Sequence, residues 1–217
     1  MIILNLIRIY TQLLERNKSI FHKTIYKQFK KKMINYTIMV IHDITMTTGS
    51  TPICDEHHKL CGNWTLWAHL PHNTDWSLNS YIKIKTFTTV EETIAVTETL
   101  PAILVENCML FLMREGIKPI WEDPKNRNGG CFSYKVSNKS VHKVWKELSY
   151  VVVGGTVSKQ TSYANSVTGI TISPKKNFCI LKIWMADCSN QNPAVVTTDL
   201  KGITSQGCLF KKHLPEY

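Results

Sequence analysis

The chain lacks the sequence features that identify zinc modules. None of its seven cysteines forms a Cys-x-x-Cys pair, and paired ligands of that kind are what lets a chain wrap a tetrahedral ion. His57 and His58 lie between Cys54 and Cys61, but these four ligands fall within eight residues instead of two separated pairs. An odd number of scattered cysteines favours reduced thiols and a cytoplasmic or nuclear protein. We expect no metal and no cofactor.

Long apolar runs are also missing. Residues 1–14 are apolar at the start, but Arg8 interrupts them and no small-residue cleavage site follows. The segment is too short to span a bilayer, and the later run at residues 34–44 includes Asn35 and has His42 and Asp43 near its end. The sequence therefore predicts neither a signal peptide nor a membrane partner.

The positive charge is concentrated at the beginning of the chain. The formal net charge is +10, and residues 1–50 hold eight Lys and Arg against Glu15 and Asp43, which leaves +4 for the rest. A basic tail of this kind either assists binding to a polyanion without specificity or is simply solvated. We predict a basic, disordered leader over residues 1–50 and a single folded domain over residues 51–217.

From Asn63 onward, short alternating runs separated by turns predict an antiparallel sheet with a few helices. The strands are predicted at residues 64–69, 81–87, 109–115, 131–136, 167–172, 178–185 and 207–211. One helix begins at Thr89, with Glu92 completing a capping box, and ends near Pro101; a second covers residues 140–153, and a weaker third lies within residues 194–204. The expected fold class is α+β: a single curved sheet with helices on one side and a free face for a ligand.

Two tryptophans lie in polar segments that are predicted to be loops. Trp76 follows a polar turn, and Trp121 precedes Glu122 in the run Gly116-Ile-Lys-Pro-Ile-Trp-Glu-Asp123. Two indole faces can hold a flat base between them, and the carboxylate can accept hydrogen bonds from the N1–H and the exocyclic amine of guanine. A guanine methylated at N7 is cationic, which suits tryptophan best. By contrast, Trp64, Trp67 and Trp145 fit core positions.

Several motifs in order, over about residues 57–212, closely resemble the eukaryotic translation initiation factor 4E family, which binds the messenger-RNA cap. They are Trp64-Thr-Leu-Trp67, Trp76, Phe87-Thr-Thr-Val90-Glu91, the run from Gly116 to Asp123, Gly129-Gly130, Val144-Trp145 and Ile183-Trp184. The resemblance implies about eight strands backed by about three helices on the convex face. It also implies a monomer that holds 7-methylguanosine between Trp76 and Trp121, with Glu122 on the base edge and Trp184 near the methyl group.

The chain departs from the family where cap phosphates are bound. Cys131 and Ser173 stand where the family usually has arginines. The loop before Asn177 is about two residues longer and brings two lysines. The phosphate-binding candidates are therefore Lys175, Lys176, Arg127, Lys182, Lys211 and Lys212, with solvated loop lysines as the alternative.

The expected partner surface also departs from the family pattern. In the family, a tryptophan on the first helix receives a partner helix that carries a Tyr and a Leu, from a scaffold initiation factor or a repressor. Ile94 replaces that tryptophan, which is an aromatic hot spot, and Lys146 and Tyr150 stand where leucine is usual. The residues expected to form this surface here are Leu60, Val90, Ile94, Glu147 and Tyr150.

Three functional hypotheses follow. The first is a cap-binding translation initiation factor, and the second is a repressor or decoy that occupies caps without recruiting the scaffold. A third, of another class, is a general single-stranded RNA binder. An enzyme is disfavoured because the chain has neither a glutamate-crowded helix for metal ions nor a glycine-rich cofactor turn.

Overall fold

Seven antiparallel strands form one open sheet in the part of the chain that the structure, a computed structural model, describes: residues 57–71, 73–195, 200 and 202–215. The strands are β1 (Lys59–His69), β2 (Tyr81–Thr89), β3 (Met109–Arg114), β4 (Gly130–Ser137), β5 (Val167–Pro174), β6 (Phe178–Met185) and β7 (Leu209–Lys212). Their order across the sheet is β2-β1-β3-β5-β6-β4-β7, so β2 and β7 are the edges.

Four α-helices accompany the sheet within the described residues. They are α1 (Val90–Thr99), α2 (Ala102–Asn107), α3 (Val141–Val153) and α4 (Thr161–Ser166), with short 3-10 turns at Leu78–Ser80 and Pro193–Val195. Helix α3 contacts β1, β4 and β5 as well as α1 and α2. The face of the sheet opposite α3, which we call the cleft face, carries the side chains described below.

The predicted fold class is confirmed, with differences in detail. Seven strands and four helices are described where about eight and about three were expected, and the two short helices α2 and α4 were not predicted. The weak helix expected within residues 194–204 is represented only by the 3-10 turn that ends at Val195, and residues 196–199 and 201 are not described. The predicted leader at residues 1–50 also lies outside the described part.

Local sequence explains where α1 and α3 begin and end. Thr89 caps α1 by accepting a hydrogen bond from the Glu92 amide at 3.2 Å. The predicted return bond of the capping box differs in one respect, because the Glu92 carboxylate accepts from the amide of Thr88, which precedes the cap, instead of from that of Thr89. In α3 the stripe Val141, Val144, Trp145, Leu148 and Val152 is buried as its spacing predicts.

Cross-strand register sorts side chains between the two faces of the sheet. In β6, Cys179, Leu181, Ile183 and Met185 share one face, whereas Lys182 and Trp184 share the other. Lys182 lies opposite Thr171 of β5 and Ser133 of β4, and Trp184 lies opposite Gly169 and Cys131. The cleft face therefore carries the polar row of Thr171, Lys182 and Ser133 next to the row that contains Trp184.

Replacing Gly169 by alanine tests this close strand packing. An added Cβ would lie 2.3 Å from Met113 Sδ and 2.8 Å from the Leu112 carbonyl oxygen, so strands β3 and β5 would have to move apart. We expect Gly169→Ala to lower the free energy of unfolding by about 1–3 kcal/mol, measured by urea denaturation of the full chain with far-UV circular dichroism.

Gly62→Ala is the matched control on β1. There the nearest atom to an added Cβ is Arg114 Nη1 at 3.5 Å, an ordinary contact, and a change within about 0.5 kcal/mol is expected. Equal unfolding midpoints for the two variants would contradict the packing argument.

Candidate functional site

Buried aromatic side chains on strands β3 and β6 form the floor of the cleft face. Phe111, Met113, Cys131 and Trp184 form a buried cluster, and Trp67, Tyr81, Met109, Ile117 and Trp121 pack against it. The rings of Phe111 and Trp184 meet edge to face with centroids 6.3 Å apart. Trp184, only 4% exposed, is therefore a fixed part of the floor.

Two buried polar side chains, Asp123 and Asn126, hold the loop that carries Trp121 and Glu122. We call this pair the polar knot. Asp123 accepts hydrogen bonds from the amides of Lys118 and Lys125, both at 2.9 Å. The side-chain amide of Asn126 donates to the carbonyls of Lys118 and Ile120 at 3.0 and 2.9 Å. Because both polar side chains are buried, these bonds hold the loop in one conformation.

His213 lies directly behind Trp121. The two ring planes are 14° apart with centroids at 5.5 Å, and His213 also contacts Trp184 at 4.8 Å. Its Nδ1–H donates to the Asn126 carbonyl at 2.7 Å. Burial lowers the pKa of His213, although the hydrogen bond to Asn126 opposes that shift. A buried imidazole thus connects Trp121, Trp184 and the polar knot.

Trp76 stands on the other side of the cleft in the loop after β1. Its side chain is 54% exposed, the largest exposure among the described tryptophans. The indole lies flat on the buried ring of His69, with centroids 4.2 Å apart and planes 2° apart. Trp76 therefore has one covered face and presents the other outward.

The structure brings the four predicted base-contacting residues together. Trp76, Trp121, Glu122 and Trp184 all line one cleft of about 680 Å³, a size typical of small-ligand sites. Among the described residues, Trp184 Nε1 and Thr171 Oγ1 are buried without a hydrogen-bond partner. Both residues line the cleft, so its floor retains unused hydrogen-bonding capacity.

Only some of the predicted phosphate-binding residues reach this cleft. Lys175 and Lys182 line it, and Lys211 Nζ lies 5.9 Å from the Trp121 ring centroid. Lys212 follows Lys211 in β7 and therefore points to the opposite face. Lys176 and Arg127 are exposed and do not line the cleft.

The two departures from the family pattern are uncharged positions in the structure. Cys131 is 1% exposed, and burial raises the pKa of its thiol despite the nearby charges of Lys182 and Lys211. Ser173 lines the cleft as a neutral hydroxyl. The positive charge near these two positions comes instead from Lys182 on β6, the strand between β4 and β5.

A second cavity of about 450 Å³ lies on the helix side of the sheet. Its walls are mostly apolar and include four of the five residues expected to form the partner surface: Leu60, Val90, Ile94 and Tyr150. Glu147, the fifth, does not line it and pairs with Lys143 at 3.6 Å. We call this cavity the helix-side groove.

Glu98 organises one end of the helix-side groove. Its carboxylate accepts from Lys146 Nζ at 3.1 Å and from the Tyr150 hydroxyl at 2.8 Å. The Tyr150 hydrogen bond is the main cause of the lowered pKa of Glu98. The Glu98 carboxylate thus binds both Lys146 and Tyr150, two residues that depart from the family pattern.

Sequence reasoning missed the buried supports of the site. His69 and His213 lie in or next to strands and gave no periodic signal, and Tyr81 and Phe111 fitted ordinary core positions. Asp123 could have been identified, because aspartate before a proline is typical of side-chain-capped turns.

The fold and the site define a class: an α+β domain with one open antiparallel sheet that carries an aromatic cleft on the face opposite α3. The family model for Eukaryotic initiation factor 4E matches residues 59–206. The chain belongs to this family, and the resemblance deduced from its motifs is confirmed.

Individual relatives agree with this placement. The chain is 39% identical over 89 residues to a eukaryotic translation initiation factor 4E homolog of Acanthamoeba polyphaga mimivirus, covering 41% of this chain and 29% of that protein. It is 30% identical over 156 residues to eukaryotic translation initiation factor 4E of Candida albicans, covering 67% of this chain and 73% of the relative. The chain spans between 29% and 56% of the length of three curated relatives that it matches.

A solved structure shares the fold. The complex of C. elegans eIF4E-3 with the 4E-binding protein Mextli and cap analog superposes with a TM-score of 0.64 at 21% identity. The match covers 74% of this chain and 98% of that one. Both the sheet and its helices are therefore those of the family.

Two further kinds of site concern only the part of the chain that the structure describes. No helix there combines the length and the apolar character needed to cross a bilayer. Within the same residues, no three His, Cys, Asp or Glu side chains converge as metal ligands would.

The buried state of His213 predicts a pH-dependent stability. Since its pKa is lowered in the folded protein, the unfolded chain binds a proton first as the pH falls below the ordinary value of about 6.5. The contribution of His213 to the free energy of unfolding is therefore fully present above that pH. It decreases as the pH falls towards the folded-state pKa, by up to about 1.4 kcal/mol per pH unit for one proton. Urea unfolding at pH 7.5, 6.5 and 5.5 should show a shallower pH dependence for His213→Phe than for the unmodified chain.

Val144→Ala is the control for general destabilisation. It removes buried volume from α3 without removing a titratable group, so its free energy of unfolding should fall by a similar amount at every pH. Parallel pH profiles for His213→Phe and the unmodified chain would contradict the assignment of the pH dependence to His213.

Proposed function

We propose that this protein is a translation initiation factor that binds the 7-methylguanosine cap of messenger RNA. The observation that carries the proposal is the arrangement of Trp76, Trp121 and Glu122 around one cleft whose floor is Trp184. Two indoles suit a cationic purine, and the carboxylate matches the paired donors of guanine. It acts as a binding protein and not as an enzyme.

The cap base is held between Trp76 and Trp121 in this proposal. Trp121 is half-buried and supported from behind by His213, while Trp76 is supported by His69. In this proposal each indole is braced by a histidine on one side and stacks on the base with its other face. Glu122 follows Trp121 directly, lines the same cleft, and belongs to the loop that the polar knot of Asp123 and Asn126 holds.

The cap phosphates are bound mainly by lysine. Lys175 and Lys182 line the cleft, and Lys211 extends the positive charge beyond Trp121. An ammonium group neutralises a phosphate as a point charge, whereas the guanidinium of arginine makes two parallel hydrogen bonds. We therefore assign base recognition to the aromatic floor and a less directional phosphate attraction to these lysines.

Calorimetric titration of the full chain with 7-methyl-GTP and unmethylated GTP tests the cap proposal. We expect a clear preference for the methylated nucleotide. Trp121→Ala should weaken its binding roughly 5- to 100-fold, because one stacking face is lost. Glu122→Gln should weaken it roughly 10- to 100-fold, because a charge-assisted pair of acceptors is lost.

Glu115→Gln is the matched control for Glu122. Glu115 is exposed just after β3 and bonds to Asn63 at 2.8 Å, away from the cleft. Its replacement should leave both affinities unchanged. Equal affinity for the two nucleotides in the unmodified chain would reject cap recognition and favour a general single-stranded RNA binder.

The helix-side groove is proposed to bind an amphipathic helix of a scaffold or repressor protein. Relatives solved with 4E-binding proteins share this fold, and the apolar wall of Leu60, Val90 and Ile94 suits a helix with spaced apolar anchors. Ile94 is 47% exposed and offers less contact area than an aromatic side chain. Weak binding at this groove would make the protein a cap-occupying repressor and not a loading factor.

Ile94→Trp tests the role of the groove. An aromatic hot spot is typically worth about 2 kcal/mol or more, so the variant should bind a helical peptide bearing the family's Tyr and Leu anchors roughly 30-fold more tightly. Ala95→Trp adds the same indole at a neighbouring exposed position that does not line the groove, and should have no such effect. Equal calorimetric affinities for the two variants would exclude this groove as the docking site.

A further inference from the structure

His69 contacts both the ring of Trp76 and the backbone of the residue before it. The imidazole lies parallel to the indole at a centroid distance of 4.2 Å. Its Nε2–H also donates a 2.8 Å hydrogen bond to the carbonyl oxygen of Asp75, the residue before Trp76. A carbonyl oxygen can only accept, so Nε2 carries the proton. One side chain therefore fixes both the ring and the backbone that presents it.

The support beneath Trp76 is part of the sheet itself. His69 is the last residue of β1 and is only 1% exposed. It is paired in register with Tyr81 of β2 and Met109 of β3, and its ring meets that of Tyr81 at 5.1 Å. Since the backbone of His69 is held by strands on both sides, its ring is a rigid base for the loop.

The rest of the loop constrains its backbone but not the indole. The Asp75 amide donates to Asn73 Oδ1 at 3.0 Å, and the Ser77 amide donates to Asp75 Oδ1 at 2.8 Å. These turns leave the two side-chain torsions of an exposed tryptophan undetermined. The flat contact with His69 selects one orientation before any ligand arrives.

We propose that His69 is a positioning residue that holds Trp76 in the orientation needed to stack on a flat ligand. The proposal rests on the proposed function for its ligand, and it adds the requirement for an imidazole at this position. Phenylalanine would supply the flat ring without the hydrogen bond, and glutamine would supply a donor without the ring. Pre-ordering Trp76 reduces the entropy lost on binding.

The first test needs no ligand. Nitrogen-15 relaxation of the Trp76 indole N–H, assigned by comparison with Trp76→Phe, reports its picosecond-to-nanosecond mobility in the full chain. We expect a rigid indole in the unmodified protein and a clearly lower order parameter in His69→Gln, with the buried Trp184 indole unchanged as an internal reference. An unchanged Trp76 order parameter in both His69→Gln and His69→Phe would overturn the proposal.

The second test is a double-mutant cycle. His69→Phe and His69→Gln should each weaken 7-methyl-GTP binding about 5-fold by calorimetry, and less than 2-fold when Trp76 is already alanine. A general structural defect would produce the same loss in both backgrounds and would contradict the positioning role. If the unmodified chain shows no preference for 7-methyl-GTP over GTP, the proposed function fails, and the relaxation result alone decides the role of His69.

Discussion

Cross-strand register is the constraint on which the whole site depends. Side chains alternate between the faces of a strand, so a shift of β6 by one residue would turn Lys182 and Trp184 into the helix side and expose Leu181 and Ile183 to the cleft. Eight consecutive pairs between β4 and β6 fix this register. The close approach of β3 and β5 at Gly169 does the same for the neighbouring strands. The aromatic floor is therefore a consequence of backbone pairing before any side chain is considered.

Both loop tryptophans, Trp76 and Trp121, pack against buried histidines. Burying an imidazole is costly unless its polar atoms are satisfied. Each ring here makes one short hydrogen bond to a loop carbonyl, His69 to Asp75 and His213 to Asn126, while Nε2 of His213 is buried without a partner. Each bond joins a strand or the residue after it to the loop that carries a tryptophan. The two sides of the cleft thus use the same physical device, an imidazole that combines a flat contact with a directional bond.

The sequence was most informative where periodicity and capping act locally. Alternation located all seven described strands, and the apolar stripe located α3, because burial of one face imposes a regular pattern. The loop tryptophans were predicted as site residues because packing does not explain large aromatic groups in polar loops, and Glu122 was predicted because it adjoins Trp121; all three line the cleft. His69, His213 and the short helices α2 and α4 were missed, since their roles depend on neighbours that are distant in the chain. The same limit applies to Lys176, Arg127 and Lys212, whose charge predicted a phosphate site but whose positions do not line the cleft.

The loss of two arginine positions changes what the cleft can discriminate. With Cys131 buried and Ser173 neutral, the positive charge that lines the cleft comes from Lys175 and Lys182, with Lys211 beside Trp121. Lys182 lies between Thr171 and Ser133 in the polar row, next to the row that contains Trp184. A lysine in this position attracts phosphate over a range of geometries, because its ammonium imposes no planar fork. Under the proposed function, selectivity among nucleotides comes mainly from the base, through the indoles and Glu122, so the precise placement of Trp76 and Trp121 matters more than it would beside a rigid arginine clamp.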